Sequence, residues 1–198
     1  MSIKITYFVH GTTVDNENII CTGWNQGELS ERGIRQSKEL HSLVKDKEFD
    51  LVFSSDLKRA VDSAELYFNG LYKIIQDRRL REANYGELNG FPESSFNSDH
   101  TIYINSPFPN GESYKDVEKR MASFLNYLSE NYEDKHIAIV AHRAPQLALD
   151  VLVKCKTWEE AINEDWRKTK AWQPGWEYII DIKYKSIKSE QYSKESRD

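Results

Sequence analysis

The 198-residue chain is poor in the residues that usually announce a covalent staple, a metal centre or a membrane anchor. It has two cysteines, Cys21 and Cys155, with no close pair and no Cys/His ligand spacing. That pattern argues against a disulfide framework and a metal site, and it points to a reducing compartment. Long apolar runs are missing, so no segment approaches the roughly 20 residues of a membrane span. The amino terminus passes straight into a strand pattern without a charged leader and apolar stretch, and the expected location is the cytoplasm. Positive charge is not in excess. Lys and Arg number 27 against 32 Asp and Glu, for a net charge of -5. This balance disfavours general nucleic-acid affinity but leaves room for a local basic pocket around an anion. Internal repeats and low-complexity blocks are also missing, and five prolines occur, three of them (Pro92, Pro107, Pro109) in one stretch.

What is present alternates between strand and helix patterns. The apolar run Ile3-Lys4-Ile5-Thr6-Tyr7-Phe8-Val9 ends at His10-Gly11-Thr12-Thr13, and a second run, Ile137-Ala138-Ile139-Val140-Ala141, ends at His142. Between them, residues 30–46 place Ile34, Leu40, Leu43 and Val44 near one helical face. A short buried strand follows at 50–53, then the helix-start cluster Ser54-Ser55-Asp56 and a helix over 57–68. Residues 72–75 read as a strand. Residues 83–111, rich in glycine, asparagine and proline, read as a long surface excursion of the lid or specificity type. Val117, Met121, Phe124, Leu125 and Leu128 stripe a helix over 112–132. Further helices are expected at 145–153, with Pro145 in the first turn, and at 157–168. Alternation at 176–184 predicts a last strand whose direction the local pattern leaves open.

This order predicts an α/β fold, a three-layer sandwich with a mostly parallel central sheet. The length suits one domain, taken as residues 1–185 with the lid at 83–111, followed by a frayed lysine- and serine-rich tail at 186–198. Histidines at the carboxyl ends of strands sit where open α/β sheets place their ligands. Two such histidines suggest a reaction centre.

Four groups then ask for one explanation: His10, Arg59 on the helix after the second strand, Glu82 in Leu80-Arg81-Glu82-Ala83-Asn84-Tyr85-Gly86, and His142. In this order and spacing the chain resembles the histidine phosphatase superfamily, which includes the cofactor-dependent phosphoglycerate mutases. The segments that carry the resemblance are Val9-His10-Gly11-Thr12-Thr13, Asn16, Thr22-Gly23-Trp24, Leu29-Ser30-Glu31-Arg32-Gly33, Phe53-Ser54-Ser55-Asp56-Leu57-Lys58-Arg59-Ala60, Leu80-Arg81-Glu82, Asn84-Tyr85-Gly86, Gly111-Glu112-Ser113 and Ala141-His142.

The resemblance implies a phosphoglycerate mutase-like fold and a metal-independent, cofactor-free reaction through a phosphohistidine. His10 would be the nucleophile, since a neutral imidazole attacks phosphorus competently near pH 7. Arg59 and His142 would hold the phosphoryl oxygens. Glu82 would protonate the leaving alkoxide and then activate the hydrolytic water. Thr13, Asn16, Thr22, Gly23 and Tyr85 are carried over as residues that line the phosphate site or orient its loop. Read alone, Thr13, Asn16, Thr22 and Gly23 are turn chemistry, and Arg78, Arg79 and Arg81 are paired or solvated surface.

Two positions depart from the family pattern. Arginine normally precedes the nucleophilic histidine, where this chain has Val9, and glycine normally follows the second histidine, where it has Arg143. The expectation is that Arg143 supplies the missing charge from the other strand end. Residues 91–106 hold no Lys or Arg, which favours hydrolysis of a small phosphomonoester over mutase chemistry on a bisphosphate. Phe91, Phe96, Tyr103 and Phe108 would give the lid an apolar face. The alternatives are mutase-type phosphoryl transfer and an impaired binding or regulatory protein on the same scaffold. The expected partner is a small phosphorylated substrate, with no nucleic acid and no membrane; its identity and the oligomeric state are left open.

Overall fold

The computed structural model describes residues 2–181. In chain order the elements are β1 (Ser2–Val9), α1 (Val14–Glu17), β2 (Ile20–Cys21), α2 (Glu31–Val44), β3 (Leu51–Ser54), α3 (Lys58–Phe68) and β4 (Ile74–Gln76). They continue with β5 (Phe91–Pro92), α4 (Tyr114–Asn131), β6 (His136–Ala141), α5 (Arg143–Lys154), α6 (Trp158–Asn163), α7 (Trp166–Thr169) and β7 (Trp176–Asp181). The main sheet runs β4-β3-β6-β1-β7. Its first four strands are parallel, and β7 closes the edge antiparallel to β1. β2 and β5 form a separate two-stranded ribbon.

The sheet is buried on both faces, which makes the fold three-layered. On one face Phe8, Val52, Ala138 and Val140 pack with Leu40 and Val44 of α2 and Ala64, Tyr67 and Phe68 of α3. On the other, Ile3, Ile5, Tyr7, Phe53, Ile137 and Ile139 meet α4, α5 and α6. The uninterrupted apolar run of β6 follows from its central place. β7, at the edge, alternates buried and exposed residues from Trp176 to Asp181. No helix among the described residues is long and apolar enough to cross a membrane.

Three local expectations need correction. On α2 the inward stripe is Gly33, Ser37, Leu40 and Val44, at helical spacing, while Ile34 and Leu43 are exposed. Small residues lie on the buried face because the backbone after His10 presses there, and a pattern of apolar residues alone does not see them. The helix expected at 157–168 is two helices, broken at Glu164 and Asp165. Asp165 caps α7 by accepting from the Arg167 N–H at 2.9 Å while its other oxygen takes the Arg143 guanidinium. The excursion at 83–111 is packed: Phe96, Ile104 and Phe108 are buried, with Tyr85 against Phe96 and Phe108 at 5.0 and 4.9 Å between ring centres. Phe96 and Phe108 turn into the core, Tyr103 stacks on Phe108 and Phe91 is exposed, and none of the four lines the cavity described below. The end of the expected last strand and the tail from Ser186 lie outside the described residues.

Candidate active site

Strand register brings the two histidines together. β1 and β6 are neighbours, Val9 stands opposite Ala141, and the His10 N–H donates to the Ala141 carbonyl at 3.1 Å. The residue after Ala141 is His142, so both rings leave the sheet at one point. Their centres lie 5.1 Å apart with planes at 61°.

Each ring is held differently. His10 Nδ1 bonds the Gly11 carbonyl at 2.7 Å. A carbonyl only accepts, so Nδ1 carries the proton and Nε2 keeps its lone pair. Burial, reinforced by the charge of Arg59, pulls the His10 pKa down to about 3. The imidazole is therefore neutral across the physiological range. His142 is the cap residue of α5. The Tyr7 hydroxyl fixes its backbone, accepting from its N–H at 3.0 Å and donating to its carbonyl at 2.6 Å. The ring is fully buried and neither nitrogen has a hydrogen-bond partner among the described residues. Burial, then Arg59, holds its pKa well below the ordinary imidazole value. Buried polar groups are nearly always satisfied, and an orphaned pair beside a second imidazole is a position suited to a ligand oxygen.

The loop after His10 is seated on α2 and α3. Gly11 N–H donates to Ser63 Oγ at 3.0 Å, and both Thr12 N–H and Oγ1 donate to Gln36 Oε1 at 3.2 and 2.7 Å. A Cβ on Gly33 would stand 1.9 Å from the Thr12 carbonyl oxygen. Only glycine allows that approach.

Arg59 projects from α3 and is 2 % exposed. It donates through Nη1 to the carbonyls of Asn25 at 2.8 Å and Gln26 at 3.3 Å, and through Nη2 to Gly23 at 2.8 Å. It thus organises the loop around Gly23 while retaining donors beyond these three bonds. Glu82 is buried at the start of α5. Its carboxylate accepts from the N–H groups of Ala83 at 2.9 Å, Ala144 at 3.0 Å and Arg143 at 3.2 Å. Trp24 Nε1 and Arg120 Nη2 secure its carbonyl at 2.7 and 3.0 Å. The Arg143 and Ala144 bonds fix the carboxyl group of Glu82 at the amino end of α5.

These groups border a cavity of about 890 Å³. His10, Arg59 and Glu82 line it, as do Asn16, Thr22, Gly23, Tyr85 and Arg143. Two expected site residues stand off its surface. Thr13 is fully buried and caps α1, exchanging bonds with Asn16, and His142 is fully buried beside His10. Arg143 borders the cavity, yet its Nε is paired with Asp165 and its Nη1 donates to Tyr114 at 3.2 Å. Cys21 is in the same wall, but burial pushes its thiol up to about 11, so it is not a competing nucleophile. Arg79 and Arg81 are structural: each forms a two-pronged pair, with Asp77 and Asp56.

Sequence reasoning missed the outer wall, where Trp166, Arg167 and Trp172 face Ile19, Leu43 and Glu93. These come from four separate segments and share no motif. The one local sign was Asp165, a good helix-start residue just before Trp166.

Comparison with known proteins agrees with this geometry. The profile of the histidine phosphatase superfamily (branch 1) matches residues 7–155. The uncharacterized phosphatase PhoE of Bacillus subtilis is 31% identical over 141 residues, covering 71% of this chain and 72% of that one. A 2,3-bisphosphoglycerate-dependent phosphoglycerate mutase of Streptococcus uberis is 36% identical over 94 residues, 44% of this chain and 41% of the mutase. Among solved structures, YhfR of Bacillus stearothermophilus superposes with a TM-score of 0.73 at 24% identity, covering 80% of this chain and 83% of that one. With the profile spanning most of its length and the fold shared, the chain belongs to the histidine phosphatase superfamily.

Proposed function

We propose that the protein hydrolyses a small phosphomonoester through a phosphohistidine. The observation that carries this reading is the pair of neutral imidazoles at adjacent strand ends, 5.1 Å apart, with the lone pair of His10 Nε2 left free by the Nδ1 bond to Gly11.

The His10 Nε2 lone pair forms the N–P bond while the bond from phosphorus to the ester oxygen breaks. The leaving oxygen takes a proton from Glu82, which acquires it from the monoanionic ester on entry. Water then attacks phosphorus and gives its proton to Glu82, and the N–P bond breaks to restore His10. His142 donates to a phosphoryl oxygen from below, and the remaining donors of Arg59 face the charge that builds up in each transfer. Thr22 and Gly23 shape the oxygen-binding loop, and Tyr85 forms the wall beside the leaving group.

A panel of phosphomonoesters, including a chromogenic ester, tests this against the His10→Ala protein. Hydrolysis by the native protein and its loss in the variant support the reading; equal activity in both overturns it. The similarity to a phosphoglycerate mutase makes 3-phosphoglycerate with its bisphosphate a necessary arm. The expected result there is release of phosphate, with no interconversion of phosphoglycerates.

A further inference from the structure

Val9 leaves the phosphoryl group short of one cation, and the structure points to a replacement other than Arg143. Four cationic side chains border the cavity: Arg32, Arg59, Arg143 and Arg167. Arg59 gives three of its N–H donors to loop carbonyls and keeps the others for the phosphoryl group. Arg143 is tied to Asp165 and Tyr114. Arg32, on the first turn of α2, and Arg167, on α7, are both exposed. Arg167 holds its guanidinium 5.5 Å from the Trp166 ring centre and has no carboxylate or carbonyl partner for it among the described residues, which leaves its N–H groups open to a ligand.

We propose that Arg167, on the α7 side of the cavity, is the second guanidinium that binds the substrate's phosphoryl oxygens, and that Arg143 is a positioning residue for it. The inference rests on the phosphomonoesterase reading above. Asp165 makes the link. One of its oxygens takes the Arg143 guanidinium and the other accepts from the Arg167 N–H at 2.9 Å. Thr169 Oγ1 bonds the Asp165 carbonyl at 3.2 Å, and Trp166 packs on Trp176 at 5.8 Å between ring centres. The short helix is thereby anchored to the start of α5, beside His142. The charge of Arg167 also contributes to holding the pKa values of His10, His142 and Arg59 low, behind burial in each case, whereas that of Arg32 is not among the principal influences on either histidine. Arg143 thus serves the phosphate site at one remove, by fixing the segment that brings in a free cation.

Calorimetric titration with inorganic phosphate reads the contact without turnover. Arg167→Ala is expected to weaken phosphate binding at least about tenfold, and to lower kcat/KM by about 100-fold for every ester irrespective of leaving group. Arg167→Lys should recover part of the loss, and Lys168→Ala, an exposed neighbour, should match the native protein. Arg143→Lys should weaken phosphate binding less than Arg167→Ala. An Arg167→Ala protein that binds phosphate within twofold of native overturns the inference, as does a loss of kcat/KM confined to acidic leaving groups. In either case hydrolysis that is still abolished by His10→Ala leaves the phosphomonoesterase reading standing. A native protein that neither hydrolyses esters nor binds phosphate removes both.

Discussion

Replacing Gly33 by alanine separates a helix-propensity effect from a site-geometry effect. Gly33 lies inside α2 with a backbone that any residue adopts, so in isolation alanine should stabilise the helix by about 1 kcal/mol. The new Cβ, however, would lie 1.9 Å from the Thr12 oxygen and 2.9 Å from its carbonyl carbon and nitrogen. These are backbone atoms, and the Thr12 oxygen is also held by the Ser30 N–H at 3.0 Å. To reach ordinary contact the loop must retreat by more than about 1 Å, and overpacking of this kind costs about 1–3 kcal/mol. With backbone as the obstacle the upper part of that range applies, for a net loss of about 2 kcal/mol. His10 is two residues away, and a displacement of about 1 Å in a reacting group costs on the order of 100-fold in rate. Urea unfolding and kcat/KM on a chromogenic ester measure the two effects together. Stability within about 0.5 kcal/mol of native together with kcat/KM within about threefold would show that α2 does not seat the nucleophile loop.

Other expectations follow from the buried charges. Arg143→Ala leaves Asp165 uncompensated at 2 % side-chain exposure, so it should cost about 3 kcal/mol; the double variant with Asp165→Asn should recover part of that in thermal or urea unfolding, and no recovery would count against the pair. The folded pKa values of His10 and His100 lie near 3 and 4, and those of His136 and His142 are also lowered, in every case chiefly by burial. The unfolded chain therefore binds protons below about pH 6.5 that the folded chain refuses, so this stability is complete above pH 6.5 and is lost as pH falls, for the fully buried His10 by about 1.4 kcal/mol per pH unit towards pH 3. His142→Asn should flatten that slope by about one proton in pH-dependent urea unfolding; an unchanged slope would show that the ring is not held neutral. Because the proposed steps use only imidazole, guanidinium and carboxylate groups, kcat/KM should survive chelator, and loss of activity restored by a divalent cation would refute the mechanism.

The parts of the fold legible in the sequence were those governed by long apolar runs and by residues that end them. β1 and β6 read as strands because they are buried on both faces, and the histidines at their ends marked the crevice. What could not be read was register. Nothing local states that Val9 lies opposite Ala141, which is what turns two strand-end histidines into one pair. Arg143 shows a second limit: its chemistry suited a phosphate, but Asp165, 22 residues away, claims its guanidinium through the break between α6 and α7. The outer wall was invisible for the same reason, since Leu43 looked like core by its chemistry and is exposed by its place on α2. The stretch 83–111 carried the opposite error: its composition read as surface, but Tyr85, Phe96 and Phe108 pack ring against ring in the core, while Phe91 is exposed.

The most direct measurement is mass spectrometry of protein quenched during turnover of a phosphomonoester, using Glu82→Gln to slow release, with peptide mapping of the adduct. One phosphoryl group on His10 Nε2, missing from the His10→Ala protein, is the predicted result. An adduct on His142 or another residue, or continued hydrolysis with no phosphorylated protein at any quench time, would contradict it.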